Sequence, residues 1–249
     1  MTSPFRIAAA QSQSVAHDLV ANVAIHQSFV HAAGGVDLLV FPELSLVGYE
    51  LDTVSHVAVT ASDPRLEPLQ SAARATGTTI VAGALLAGDD PRPTIGSIVF
   101  FPSGDRSTHT KQHLHPGEER FVMPGAGSGG FHLGPRRIAL AICADTNTPA
   151  HAAAAADAGA SIYACSMLVS EAGYAVDTAQ LQHYAARHAY TVLMANHGGA
   201  TGGWLGAGRS AIWAPGGALI CAAPGAGNML VTAAWDGEQW RGEVREASI

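Results

Sequence analysis

The sequence predicts an α/β fold, and three observations carry that prediction. Apolar runs of strand length alternate with helical patterns, capping residues stand at the junctions, and two Pro-Gly turns interrupt the alternation with hairpins. FRIAAAQ at 5–11 is the first strand, and a helical stretch follows near 15–33. VDLLVF at 36–41 is almost wholly apolar, as a strand buried on both faces must be. Asp63-Pro64 supplies an N-cap and a first-turn proline for a helix to about Thr76, and Gly77 ends it before the strand TTIVAGALL. IGSIVFF and RSTHT flank Pro102-Ser103-Gly104-Asp105, the composition of a hairpin turn. The alternation then resumes with the strand RIALAIC, a helix from about Thr148 to Ala158, the strand SIYACS, a helix near 177–188 and the strand TVLMAN. A second hairpin pairs SAIWA with ALICAA across Pro215-Gly216-Gly217. No repeat and no linker divides the chain, so residues 1–249 are expected to form one domain. The glycine-rich stretches at 125–130 and 198–208 suit loops over a site.

Composition narrows the function. The chain of 249 residues is 48% hydrophobic and 13% charged, enough apolar material for a large core. Its net charge of −7, with no run of Lys or Arg, offers no footprint for nucleic acid or an anionic membrane. No apolar run approaches the roughly 18 residues of a membrane helix, and the amino terminus lacks a signal pattern, so a soluble cytoplasmic protein is expected. Cys143, Cys165 and Cys221 form no C-x-x-C pair and are expected to be free thiols. Low charge with abundant Ala and Gly points to surface covered between subunits, hence a homodimer or higher homo-oligomer.

Three places can carry chemistry. Cys143 ends an apolar strand just before a helix capped by Thr148-Pro149, at the strand end where open α/β sheets bind ligands. Cys165 and Cys221 read as structural thiols. Glu43 follows another buried strand, where partial desolvation raises a carboxylate's proton affinity and suits it to act as a base. Lys111 is the only lysine of the chain and ends a strand, and an ammonium beside a reacting carbon stabilises a developing oxyanion.

The segments FPEL…GYE at 41–50, K-x-H-L…E-E-x-F-x-x-P-G at 111–125 and I-C-x-D at 142–145 resemble, in order, the three signature blocks of the nitrilase superfamily of carbon–nitrogen hydrolases. AARHAYTVLMANHGG at 185–199 and GRSAIWAPGGAL at 208–219 extend the likeness over nearly the whole chain. The resemblance implies a four-layer α-β-β-α sandwich of the nitrilase type, dimerising by stacked sheets. It also implies a Glu-Lys-Cys triad at Glu43, Lys111 and Cys143. A second acid belongs six residues before Pro124, at Glu118, with Glu119 as the alternative. The amide of Ala144 is expected to help Lys111 hold the oxyanion, and Asp145 to brace the turn. Tyr49, His113, Met167, Asn196 and His197 fall where the family builds its substrate pocket, although Tyr49 and Met167 also suit a core and Asn196 a turn.

These residues imply hydrolysis of a small-molecule amide to an acid and ammonia through a thioester, with no cofactor. Ala144-Asp145 stands where true nitrilases carry Trp-Glu, which disfavours nitriles, while N-carbamoyl hydrolysis stays open. A binding module that keeps the fold without catalysis is the alternative from another class, and the presence of all three triad residue types speaks against it. His113-x-His115 lacks a third metal ligand at a telling spacing. The G-x-G-x-x-G match at 125–130 does not open a helix, so it is a poor dinucleotide fingerprint. Replacing Lys111 by Ala is expected to abolish turnover and leave the fold intact.

Overall fold

A computed structural model describes residues 4–53 and 57–249; of the amino-terminal segment read above, the first three residues lie outside it. Its strands form two large sheets. The first runs in the order β15-β14-β1-β2-β3-β4-β5. Within it, β1 (Phe5–Gln11), β2 (Leu38–Val40) and β3 (Thr79–Leu86) are parallel. The hairpin of β4 (Thr94–Phe100) and β5 (Arg106–Thr110) extends one side. On the other side lie the antiparallel β14 (Met229–Trp235) and β15 (Trp240–Glu246). The second sheet runs β13-β12-β9-β8-β7-β6. Its parallel centre is β7 (Arg136–Ile142), β8 (Ile162–Met167) and β9 (Thr191–Asn196), flanked by β6 (Phe131–Leu133) and the hairpin of β12 (Ala211–Trp213) with β13 (Leu219–Ala222). The short hairpin of β10 (Ala200–Thr201) and β11 (Trp204–Leu205) stands apart from both.

Strand alternation divides the core into three apolar layers. Ile7, Ala9, Leu38 and Val40 of the first sheet meet Ile162, Ala164, Leu193 and Ala195 of the second, so the two sheets pack face to face. The residues between them point the other way. Ala8, Ala10 and Leu39 pack with Phe29, Val30 and Leu69 of helices α1 (Leu19–Ala33) and α2 (Glu67–Thr76). Tyr163, Cys165 and Met194 pack with Ala152 and Leu181 of helices α3 (Pro149–Asp157) and α4 (Tyr174–His188). Three apolar interfaces between four layers make an α-β-β-α sandwich. Strands buried on both faces explain the apolar runs LLV of β2, IYAC of β8 and VLMA of β9.

The helix boundaries follow local chemistry. Asp18 caps α1 by accepting from the Ala21 amide, and Gly34 closes it in the left-handed region. Asp63 caps a short 3₁₀ turn that leads into α2, and Gly77 ends that helix at φ 72°. Two expectations need adjustment. Helix α4 starts at Tyr174, not near 177, and Cys143 opens a 3₁₀ turn, Cys143–Asn147, after β7 has ended at Ile142. Among the described residues no helix is long and apolar enough to cross a membrane.

Candidate active site

The parallel strands put Glu43 after β2, Cys143 after β7, Leu168 after β8 and His197 after β9, all at carboxyl ends. β5 runs in the same direction as β2, so Lys111 joins them. Backbone groups beyond strand ends are free of the sheet ladder, which makes this edge the place for polar chemistry.

The segment carrying Glu43 lies directly on β3. A Cβ added to Gly83 would come within 2.1 Å of the Pro42 carbonyl oxygen, so this strand position needs glycine. Phe41 donates its amide to Val81, Leu46 donates to Gly83, and the Gly83 amide donates to Ser45 Oγ at 3.2 Å. His197 Nε2 donates to the Glu43 carbonyl at 2.6 Å. Burial lowers the His197 pKa to about 4, so the imidazole is a neutral prop near pH 7.

Lys111 is fully buried and lies between two acids. Its Nζ is 2.7 Å from Glu43 Oε1 and 2.7 Å from Glu118 Oε1. Glu118 also accepts from the Tyr49 hydroxyl at 2.5 Å and from the His115 amide at 2.7 Å. Glu119, the alternative second acid, is exposed and accepts from backbone amides of its own turn, that of Gly117 at 2.7 Å among them. Burial lowers the Lys111 pKa, but attraction to Glu43, Cys143 and Glu118 outweighs it and the net shift is upward. The amine therefore stays an ammonium. For Glu43, burial and the like charge of Glu118 raise the pKa against the pull of Lys111, to about 7.

Cys143 has φ 42°, in the left-handed region that few non-glycine residues occupy. Its Sγ is 3.7 Å from the Leu168 carbonyl oxygen and interacts with the Glu43 carboxyl group. Glu43 Oε2 has no hydrogen bond of ordinary geometry, leaving one oxygen of the carboxylate uncommitted at the cavity that Cys143 also lines. Burial, then the Glu43 charge, push the thiol pKa up despite Lys111, so the resting group is a thiol and not a thiolate. Cys143, Glu43 and Tyr49 share a cavity of about 200 Å³ with Leu168, Asp177 and Trp204. Ala144 is buried at the second position of the turn.

Asp145 joins the two halves of the site. Its Oδ2 accepts from the Ile142 amide at 3.0 Å, and its Oδ1 accepts from the Gln112 amide at 3.0 Å and the His113 amide at 2.8 Å. One buried carboxylate thus fixes the cysteine turn to the lysine loop, the bracing expected of it.

The remaining residues expected to bind substrate separate. Tyr49 lines the cavity, and His113, Met167, Asn196 and His197 do not. His113 stands against Asp145 and lines a different cavity of about 310 Å³ with His109 and His151. Met167 is packed in the helix-facing core. Asn196 ties Val169 to Gly208 through side-chain bonds of 2.8 to 3.0 Å, holding the loop that presents Leu168. The glycines at 125–130 also have another use. A Cβ on Gly125 would lie 2.2 Å from Thr110 Cβ, and Ser128 to Gly130 line the larger cavity and not the one at Cys143. The loop at 198–208 does reach the site, through Trp204. Leu168, Asp177 and Trp204 escaped the sequence reading. The signal available was their place just after β8, early in α4 and in a glycine-rich loop. Among the described residues no group of three or more His, Cys, Asp or Glu is arranged to hold a metal ion.

The fold and the polar strand edge define a nitrilase-type α-β-β-α sandwich, and comparison with solved structures agrees. A cysteine-to-alanine mutant of Nesterenkonia AN1 amidase, described as from the nitrilase superfamily, superposes with TM-score 0.86 at 24% identity, over 95% of this chain and 92% of that one. Another amidase structure from Nesterenkonia sp. gives TM-score 0.83 at 25% identity, over 94% and 91% of the chains. A third, in complex with butyramide, gives 0.84 at 23% identity over 93% and 91%. A comparison with curated proteins finds no match. The carbon–nitrogen hydrolase family model matches residues 6–242, and the chain belongs to that family.

Proposed function

We propose that this protein hydrolyses a small carboxamide to a carboxylic acid and ammonia through a thioester on Cys143. The observation that carries the reading is the convergence at one cavity of Cys143 with Glu43, whose carboxyl group holds the chain's only lysine. A cavity of about 200 Å³ is small, which favours a short acyl chain.

Because the resting sulfur keeps its proton, attack needs a base, and Glu43 takes that proton as the sulfur bonds to the carbonyl carbon. The carbonyl oxygen becomes an oxyanion, held by the Lys111 ammonium and the Ala144 N–H. Glu43 passes the proton to the departing nitrogen and ammonia leaves. The emptied carboxylate then removes a proton from water, whose oxygen attacks the thioester carbon. Collapse of the second intermediate expels the sulfur, which recovers the proton, and releases the acid. Glu118 keeps Lys111 charged and fixed, and Tyr49 fixes Glu118 in turn. Asp145 has both oxygens engaged by backbone amides, which suits it to bracing and leaves the chemistry to Glu43.

Amides are favoured over nitriles because the residue after the sulfur is alanine, with no aromatic group of the kind true nitrilases carry there, and N-carbamoyl amines stay the alternative substrate class. Pairing of subunits stays an expectation from composition. Ammonia release from matched aliphatic amides, nitriles and N-carbamoyl amines tests the proposal. Amides should be consumed fastest, and Cys143→Ala should abolish that consumption. Undiminished turnover by Cys143→Ala would end the thioester mechanism.

A further inference from the structure

The cavity beside Cys143 contains a carboxylate that the hydrolytic steps do not use. Asp177 lies in the first turn of α4 and lines the wall shared with Trp204 and His115. No side-chain hydrogen bond or ion pair to it exists among the described residues. Its place near a helix N-terminus accounts for an acidic residue there, since the helix dipole favours negative charge. It does not account for a half-buried carboxylate left without a donor and turned into a cavity. Such a group has lost water without gaining a partner, and burial accordingly raises its proton affinity. Its neighbours do not neutralise it. The lining contains no Lys or Arg, and the Lys111 ammonium is committed to Glu43 and Glu118.

A second feature of the same wall points the same way. Trp204 is 46% exposed although it faces the cavity, and the indole face is the side chain best suited to hold a cation. It stands edge to face with His115, at 6.2 Å between ring centroids, which limits its rotation. The cavity lining therefore combines a base and a nucleophile with an unpaired carboxylate and an indole. A substrate with a negative tail would meet Asp177 without any compensating cation.

We propose that the preferred substrate is a short amide whose acyl chain carries an ammonium group, and that Asp177, assisted by the Trp204 indole, is the residue that selects it. The inference rests on the amidase reading and adds the charge of the substrate to it. The ammonium would give Asp177 the partner it lacks, and the small volume keeps the charge within a few carbons of the scissile carbonyl.

The test compares kcat/KM for 4-aminobutanamide with that for pentanamide, in which a methyl group replaces the amine. The parent enzyme should favour the cationic amide by about fivefold, the upper worth of an ion pair at a half-exposed carboxylate. Asp177→Asn, nearly identical in shape, should bring the ratio toward unity through a higher KM for 4-aminobutanamide. Asp177→Lys should move the preference toward succinamate, which carries a carboxylate. A parent ratio near unity, or a ratio that Asp177→Asn leaves in place, would overturn the inference alone. If neither compound nor any other short amide were hydrolysed, the amidase reading would fall and this inference with it.

Discussion

Replacing Asp145 by alanine should damage stability and catalysis together, for a reason that can be worked through atom by atom. The carboxylate accepts the amides of Gln112, His113 and Ile142, and it is completely buried. A hydrogen bond to a charged group contributes about 1.5–3 kcal/mol, and a buried amide left without a partner costs about 1–3 kcal/mol. The three bonds share one acceptor and water can enter part of the space, so their losses do not add fully. A net loss of about 3–5 kcal/mol is expected. In a chain of this size each kcal/mol moves Tm by about 2–4 °C, so the midpoint should fall by roughly 6–20 °C. Asp145→Asn keeps one acceptor oxygen but turns an NH₂ toward at least one backbone N–H, so its Tm should lie between those of the alanine variant and the parent. Thermal unfolding followed by circular dichroism reads these shifts. Amide turnover, measured well below the lowest midpoint, should fall about a hundredfold in the alanine variant, because a misplacement of about 1 Å between Lys111 and Cys143 carries that penalty. A Tm within about 2 °C of the parent, or full turnover in a folded Asp145→Ala, would refute the bracing argument.

The other predictions concern the charged cluster. Lys111→Ala should abolish turnover, but the structure revises the expectation that the fold is untouched. Removing the ammonium leaves Glu43 and Glu118 buried without a counter-charge, a loss of about 3–5 kcal/mol by analogy with other broken buried pairs. Denaturant unfolding should show that loss, and a variant as stable as the parent would contradict it. The pH profile follows from Glu43, which must be ionised to act as base. With its pKa raised to about 7, kcat/KM should rise with pH through neutrality and then level off, and activity should be lost as pH falls through about 7. A profile flat down to roughly pH 5, near an ordinary carboxylate pKa, would show that Glu43 is not the base or is not shifted.

Much of the sandwich was readable because its strands have simple patterns. Runs such as LLV in β2 and the central VLMA of β9 are wholly apolar because both faces are covered, and Asp63, Gly77 and Pro149 mark helix ends by local rules. β14 and β15 were not anticipated. β15 alternates poorly and is largely exposed, and β14 pairs with β1 across more than two hundred residues, a partnership no local pattern encodes. The cluster of Glu43, Lys111 and Glu118 was legible because each residue type falls in a recognisable block, Glu43 and Lys111 beside strand ends and Glu118 in the turn beyond, and the choice of Glu118 over Glu119 became visible only with burial. The pocket wall was not legible. His113, Met167, Asn196 and His197 sit close in sequence to the expected pocket, but strand alternation and loop bracing turn them away from it. Asp177 and Trp204 reach the cavity from segments whose approach depends on how α4 and the 198–208 loop pack.

The most direct measurement is intact-protein mass spectrometry of the enzyme, acid-quenched during turnover of a short amide, with peptide mapping of any adduct. The account predicts an added mass equal to the amide less ammonia, located on Cys143 and absent from Cys143→Ala. An adduct on Cys165 or Cys221, or steady turnover with Cys143 never modified and dispensable, would contradict it.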